Sequence, residues 1–250
     1  MSTVPDQYRG VWARTLLQTP QGKDERTWVR WLQTGLWHAD LRVPEAARQQ
    51  TPPALARQQG FCGITHIETP ASGGADICTW QRRFDFQPPR GTPDAGHMVF
   101  DGPDRLIETG VHGHYLEVWQ RLPGSQGRSM ALAGRDAHGQ DNGARVLVAG
   151  RYLMHVRPRS TDWPADTAVE DEFASVIARH PAHNADWLDM EISFGEWADE
   201  RWTVEHSTLP AFEQRSHPCA LQRLDTDTVA VHGGRLAGLW HVLEWCDHTG

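Results

Sequence analysis

The sequence predicts a mainly β protein built from two small antiparallel barrels, each with a short helical insert. Three observations predict this fold class. The chain divides into many short runs of β-type residues, bounded by glycine, proline, aspartate or asparagine. Tight turns join neighbouring runs, which favours an antiparallel meander. The order of strands, helical insert and strands occurs twice along the 250 residues.

About eight strands are predicted in the first half. They read GVWARTLLQT, RTWVRWLQT, LWHADLRV, FCGITHIET, DICTWQRRFDF, GHMVFDG, RLIETG and HYLEVWQRL. Between the third and fourth runs, EAARQQTPPALARQQ predicts one or two short helices that Pro52 and Pro53 interrupt. This pattern suits an up-and-down barrel, whose interior fills with side chains or holds one small ligand. A β-sandwich is the competing architecture, and it requires one consistently apolar face per strand.

The second half repeats this order. Its strands are predicted at SMALAG, ARVLVAG, RYLMHVRP, LDMEISFGEWA, RWTVEHSTL, TVAVHGG and GLWHVLEW. Phe173, Val176 and Ile177 give the insert DTAVEDEFASVIARH an apolar stripe at helical spacing, which predicts an amphipathic helix. We expect an internal duplication with its boundary in the linker-like segment LPGSQGRS, and therefore domains at 1–123 and 124–250.

Composition restricts the class of protein. The chain has 24 basic and 32 acidic side chains, a formal net charge of −8, and no basic run, which argues against a nucleic-acid or anionic-membrane partner. The sequence shows neither a signal-peptide pattern nor an 18-residue apolar stretch, so we expect a cytoplasmic monomer or homodimer. The widely spaced cysteines predict reduced thiols; they are Cys62, Cys78, Cys219 and Cys246.

Four segments of the first half carry a family resemblance. They are YRGVWARTLLQTPQG, WVRWLQTGLWHADLRVP, CTWQRRFDFQPP and ETGVHGHYLEVWQR, in this order. They resemble the motifs of a family of uncharacterised bacterial and fungal proteins with two lipocalin-like barrel domains. The match runs over roughly residues 8 to 122 and thins out in the second half. The resemblance implies a calycin-like fold and supplies no activity and no catalytic residues.

The strand HYLEVWQR raises the question of which side faces the barrel interior. Because side chains alternate along a strand, one of its faces is chemically rich and carries Tyr115, Glu117, Trp119 and Arg121. Earlier strands also carry charged faces, with Arg14 on one and Asp40 on another. If these faces are solvated, Arg14 and Asp40 form a surface ion pair worth at most about 1 kcal/mol. If they line a cavity, each buried arginine needs a carboxylate partner.

The second alternative defines a candidate ligand site in the first barrel. Its residues are Trp12, Arg14, Asp40, Arg42, Trp80, Arg82, Glu108, Tyr115, Glu117, Trp119 and Arg121. Arginine forks, carboxylates and tryptophan faces suit a small, partly aromatic or anionic molecule. The sequence therefore favours a lipocalin-like small-molecule binder that requires no cofactor.

Two other functions stay open. Tyr115, Glu117 and Arg121 are a set that could serve a lyase or isomerase acting on a small carboxylic acid. The third possibility is a structural or interaction protein without a ligand. The sequence contains no Gly-x-Ser-x-Gly, Walker or His-Glu-x-x-His signature, so it does not decide whether the protein is an enzyme.

The histidines are the candidate ligands for a metal or for haem. The segment HGHYLE resembles the metal-binding pattern of cupin barrels, but Glu117 has the wrong parity to share a face with His112 and His114. No metal site is therefore predicted. Haem, held by one of the 14 histidines, stays open as a ligand.

Overall fold

The chain folds into two antiparallel sheets of nine strands each, with few short helices. A computed structural model describes residues 3–71 and 73–247. One sheet is a closed barrel and the other is nearly closed. The mainly β architecture with two barrels, predicted from the alternation of short strands and turns, is confirmed.

The first sheet forms the closed barrel. Its strands are β1 (Gly10–Thr19), β2 (Gly22–Asp24), β3 (Trp28–Gln33), β4 (Trp37–Val43), β5 (Gln59–Glu68), β6 (Asp76–Asp85), β7 (Asp94–Phe100), β8 (Arg105–Gly110) and β9 (Leu116–Arg121). Each strand from β3 to β8 pairs with the next, and β1 pairs with both β3 and β9, which closes the ring. The helical insert between β4 and β5 consists of a 3₁₀ turn at Glu45–Gln49 and helix α1 at Pro52–Leu55.

The second sheet is nearly closed. Its strands are β10 (Ser129–Arg135), β11 (Asp141–Ala149), β12 (Tyr152–Arg157), β13 (Glu191–Ala198), β14 (Arg201–Ser207), β15 (Ser216–Pro218), β16 (Ala220–Arg223), β17 (Thr228–His232) and β18 (Gly238–Cys246). In the described part of the chain, β15 and β16 form its two ends and do not pair. Helices α2 (Phe173–Arg179) and α3 (Asn184–Leu188) lie between β12 and β13, and the predicted apolar stripe of α2 is buried.

Apolar side chains form three clusters, one inside each barrel and one between the barrels. In the third cluster, Trp37, Ala39 and Leu41 of β4 pack with residues of β10 to β13. The apolar face of β4 is therefore covered by the second barrel. Its opposite face, with Asp40 and Arg42, points into the first barrel, because alternate side chains of a strand point to opposite sides.

A carboxylate of the second barrel also joins the two barrels. Glu244 of β18 accepts hydrogen bonds from the Thr34 hydroxyl at 2.8 Å and from the backbone N–H groups of Leu36 and Trp37 at 3.0 and 2.9 Å. These bonds satisfy backbone donors in the turn between β3 and β4, which would otherwise be costly to bury. The turn that begins β4 is therefore fixed by the second barrel.

The state of the cysteines and the length of the helices can be compared with the sequence predictions. All four cysteines are free thiols; Cys62, Cys78 and Cys219 are buried and Cys246 is half-buried. Within residues 3–71 and 73–247, every helix is too short or too polar to cross a membrane.

Candidate functional site

A cavity of about 260 Å³ opens into the first barrel. Eight of the eleven predicted site residues line it: Asp40, Arg42, Trp80, Arg82, Glu108, Tyr115, Glu117 and Trp119. The chemically rich face of β9 points inward, since Glu117 and Trp119 are only 4% and 2% exposed. Leu116 and Val118, on the other face, are half-buried on the outside of the barrel.

The charged faces of β1 and β4 are not solvated, so the alternative of a surface ion pair between Arg14 and Asp40 is wrong. Asp40 is 1% exposed and accepts a hydrogen bond from Arg42 Nε at 2.8 Å. Arg14 Nη1 instead donates to Glu117 Oε1 at 2.6 Å. Burial raises the pKa of Asp40, and the neighbouring guanidinium of Arg42 opposes this shift. Buried arginines on these strands thus have the carboxylate partners that burial requires.

Arg82 of β6 is held in the same way. Its guanidinium donates to Asp94 Oδ2 at 2.6 Å and to Asp85 Oδ2 at 2.8 Å, and it lies 3.5 Å from the centroid of the Phe61 ring. Burial alone would raise the pKa of Asp94, but the charges of Arg82 and Arg42 outweigh it and lower that pKa. The charge of Arg82 is therefore neutralised within the protein.

Arg90 is different, because its charge is unpaired. It lines the cavity from the loop between β6 and β7 and is exposed. In the part of the chain that the structure describes, no carboxylate lies within ion-pair distance of Arg90, and its side chain makes no hydrogen bond. Although the residue as a whole is exposed, its guanidinium group is partly enclosed by the protein, and this burial, followed by the charge of Arg82, lowers its pKa. It is available to bind an anionic group.

Glu108 is the cavity carboxyl that lacks a cation. It is 3% exposed, its Oε1 accepts from the Tyr115 hydroxyl at 2.7 Å, and its Oε2 accepts from Trp119 Nε1 at 3.0 Å. Burial, followed by the charge of Glu117, raises its pKa to about 8. Gly96 on the neighbouring strand makes room for it, because a Cβ there would lie 2.6 Å from Glu108 Cγ. Burial without a partner cation therefore favours the protonated form of Glu108.

Three predicted residues do not line the cavity. Arg14 contacts it only through Glu117, and Trp12 is buried in the apolar cluster inside the barrel. Arg121 lies over the Trp12 ring at 4.2 Å and donates to the carbonyl oxygens of Gln7 and Pro103 at 2.7 and 2.8 Å. It therefore holds the N-terminal segment in place. The three residues considered for a lyase or isomerase are therefore not brought together, because Arg121 does not share the cavity with Tyr115 and Glu117.

Several cavity residues were not predicted; they are Leu17, Thr19, Trp31, Gln59, Phe61, Arg90 and Asp94. Trp31 and Phe61 lie directly opposite Asp40 in the sheet register, on β3 and β5. Cross-strand neighbours share a face, so an inward Asp40 requires inward Trp31 and Phe61. Trp31 and Phe61 could therefore have been predicted from the order of the strands together with their register.

The cupin-like histidine pattern is not assembled. His112 and His114 are exposed, whereas Glu117 is buried inside the barrel. Among the residues described, no three histidine, cysteine, aspartate or glutamate side chains are grouped as metal ligands.

Comparison with known proteins shows the fold. No protein-family model matches this chain, and no curated protein matches its sequence. The crystal structure of the uncharacterised protein YLR301w from Saccharomyces cerevisiae is similar, with a TM-score of 0.61 and 14% sequence identity. The match covers 94% of this chain and 98% of the yeast chain. The likeness therefore extends over both barrels, and at this identity it carries no residue roles.

Proposed function

We propose that the first barrel binds a small aromatic carboxylic acid in its interior cavity. The observation that carries this proposal is an aromatic-walled cavity with one unpaired arginine. Trp31, Phe61, Trp80 and Trp119 supply the aromatic side chains, and Arg90 supplies the unpaired charge. A cavity of about 260 Å³ is smaller than the usual pockets for drug-sized ligands, so it fits a molecule with one or two rings.

The unpaired charge of Arg90 favours an acid over a neutral aromatic molecule. Arg42 and Arg82 already hold carboxylates, and a second anion beside them would compete with Asp40 and Asp94. Arg90 has no such competitor among the described residues. A ligand carboxylate that binds Arg90 would gain a charge-assisted hydrogen bond, while its ring packs against the tryptophans.

A wider groove between the barrels suits such a ligand less well. It has a volume of about 400 Å³, and its lining includes four arginines and three glutamates. Its one tryptophan, Trp28, already contacts the His206 ring at 4.3 Å and the Arg30 guanidinium at 4.5 Å. The aromatic surface in this groove is thus already covered by the protein's own side chains.

We further propose that the chain is a cytoplasmic two-domain member of the lipocalin-like family, with its boundary near residue 123. Strand β9 ends at Arg121 and β10 begins at Ser129, which supports a linker between them. The four free thiols support a reducing compartment.

Binding of 3-phenylpropionate tests the proposed function. We expect the acid to raise the melting temperature and change the tryptophan emission of the wild type, because it binds the folded state beside Trp80 and Trp119. Arg90→Gln should weaken binding about tenfold or more, since a hydrogen bond to a charged group contributes roughly 1.5–3 kcal/mol. Titration calorimetry gives the affinities.

Two matched controls accompany this test. Arg83→Gln removes an exposed arginine that lies against Trp37 on the outside of the barrel, so it should bind the acid like the wild type. The uncharged 3-phenylpropanamide should bind the wild type as weakly as the acid binds Arg90→Gln. Equal binding of acid and amide, or no response to any arylcarboxylate, would contradict the proposal and favour a structural or interaction protein.

A further inference from the structure

We infer that the cavity of the first barrel also catalyses proton removal from carbon, with Glu108 as the general base and an aromatic 2-keto acid as the substrate class. This inference rests on the proposed function, because it names a reaction for the ligand that the same cavity would bind. It replaces the set of Tyr115, Glu117 and Arg121, which the barrel does not bring together.

The partners of the cavity carboxyls single out Glu108. Asp40, Asp94 and Glu117 each form an ion pair with an arginine at 2.6 to 2.8 Å. Within the described residues, Glu108 has no ion pair, and its two hydrogen-bond donors are uncharged. A carboxylate stabilised by a guanidinium is a weak base, whereas one surrounded by aromatic side chains keeps its affinity for a proton. Glu108 is therefore the cavity group best suited to accept a proton from carbon.

The groups that face Glu108 set its protonation. Tyr115 directly precedes β9, and Glu117 lies on β9. The other groups are Asp94 on β7, Cys78 on β6 and Arg42 on β4. Burial and Glu117 raise the pKa of Glu108 to about 8, whereas the Tyr115 hydrogen bond and the charge of Arg42 act in the opposite direction. Such a pKa suits a general base, because base strength and the fraction of carboxylate are both substantial near neutral pH.

Tyr115 acts as a positioning residue. Burial, followed by the charge of Glu108, raises its pKa above the ordinary value, so its hydroxyl stays protonated and continues to donate to Glu108 Oε1. Trp119 Nε1 fixes the other oxygen. The two donors hold the carboxyl group in one orientation at the wall of the cavity.

The proposed step converts the keto form of phenylpyruvate into its enol. Glu108 removes a proton from the methylene carbon, the electrons of that C–H bond form the carbon–carbon double bond, and the carbonyl π electrons move to oxygen. That oxygen takes a proton from water, and Glu108 returns its own proton to water. Arg90, which lines the same cavity and would bind the adjacent carboxylate of the keto acid, would also stabilise the negative charge that develops on the oxygen.

Deuterium exchange of phenylpyruvate in D₂O tests this activity. We expect the wild type to accelerate loss of the methylene signal in the proton NMR spectrum beyond the rate in buffer alone. The protein-dependent rate should rise with pH through a midpoint near the Glu108 pKa of about 8. Glu108→Gln should lower that rate about 100-fold or more, the usual scale of general base catalysis, while binding of phenylpyruvate persists.

Two further variants separate catalysis from structure. Tyr115→Phe should retain exchange but move the pH midpoint upward, because it removes a hydrogen bond that favours the carboxylate. A merely structural role for Tyr115 would leave the midpoint unchanged. Glu68→Gln alters an exposed glutamate of β5 and should leave the rate unchanged.

The outcomes distinguish the activity from the binding. Binding of phenylpyruvate without exchange, or exchange that survives Glu108→Gln, would overturn the activity and leave the binding function intact. If the wild type does not bind phenylpyruvate or any other arylcarboxylate, the proposed function fails and the activity fails with it. Should Glu108→Gln not fold, an unchanged midpoint in Tyr115→Phe overturns the role of Glu108.

Discussion

Each barrel buries a glutamate, and the two side chains have opposite properties. Glu191 of the second barrel is fully buried, and Arg235 donates to both of its oxygens at 2.6 Å. Ser193 and His155 also contact Oε1, at 2.7 and 3.2 Å. Burial alone would raise the pKa of Glu191, but these hydrogen bonds together lower it to about 2. The groups around Glu191 therefore keep its carboxylate ionised.

Glu108 of the first barrel is almost equally buried but has only uncharged donors, and its pKa rises to about 8. The charge of the partner, and not the depth of burial, therefore decides whether a buried glutamate keeps its proton. This difference also separates the two interiors. The second barrel uses its buried carboxylate as a structural anchor, whereas the first leaves one carboxyl uncommitted beside a cavity.

The largest expected effect is the loss of the anchor in the second barrel. Arg235→Met should lower the free energy of unfolding by about 3–5 kcal/mol, because it removes the guanidinium that binds both oxygens of the buried Glu191. The basic side chains that then remain beside the charge are His155 and the more distant Arg157, at 3.9 Å. Urea denaturation measures the change. The exposed Arg215 provides the control, and Arg215→Met should stay within about 0.5 kcal/mol of the wild type. A cost below about 1 kcal/mol for Arg235→Met would remove the contrast between the two glutamates.

A smaller effect is expected in the pH dependence of stability. Between the ordinary glutamate value of 4.5 and about 8, folded Glu108 holds a proton that the unfolded chain has released. Stability should therefore fall as pH rises through this window. Glu191 acts in the opposite direction, since its contribution is present above about 4.5 and is lost as pH falls towards about 2.

Urea denaturation of Glu108→Gln at several pH values isolates the contribution of Glu108 to the pH dependence of stability. We expect the variant to lose less stability than the wild type between about pH 5 and about pH 8, because glutamine does not titrate. The exposed Glu68→Gln is the matched control and should follow the wild type. Parallel curves for Glu108→Gln and the wild type would show that Glu108 ionises normally.

Most of the fold could be predicted from local sequence patterns. The long strands are rich in β-type residues and end at turn residues, and these two features predict them. The missed strands β2, β15 and β16 have only three or four residues. Such short segments are too short to show an alternating pattern, and they form because a neighbouring strand offers them hydrogen bonds.

The candidate site was only partly predictable. Alternation shows which side chains share a face of a strand, but it does not show whether that face points into the barrel or how far along the barrel each side chain lies. Alternation places Glu117, Trp119 and Arg121 on one face of β9. Arg121 lies four residues beyond Glu117, about 13 Å further along the strand, which is enough to take it out of the cavity. The inward direction of Asp40 depends on the second barrel, which covers the opposite face of β4. Arg90 lies in a loop, where no periodic pattern exists.

The most direct measurement is the titration of the glutamate side-chain carboxyl carbons by ¹³C NMR, in the wild type, Glu108→Gln and Glu191→Gln. We expect one carboxyl with a midpoint near 8 that disappears in Glu108→Gln. A second carboxyl should stay ionised until about pH 2 and disappear in Glu191→Gln. If every glutamate titrates near its ordinary value of 4.5, or if the high midpoint survives in Glu108→Gln, the first barrel does not hold an uncommitted carboxyl beside its cavity.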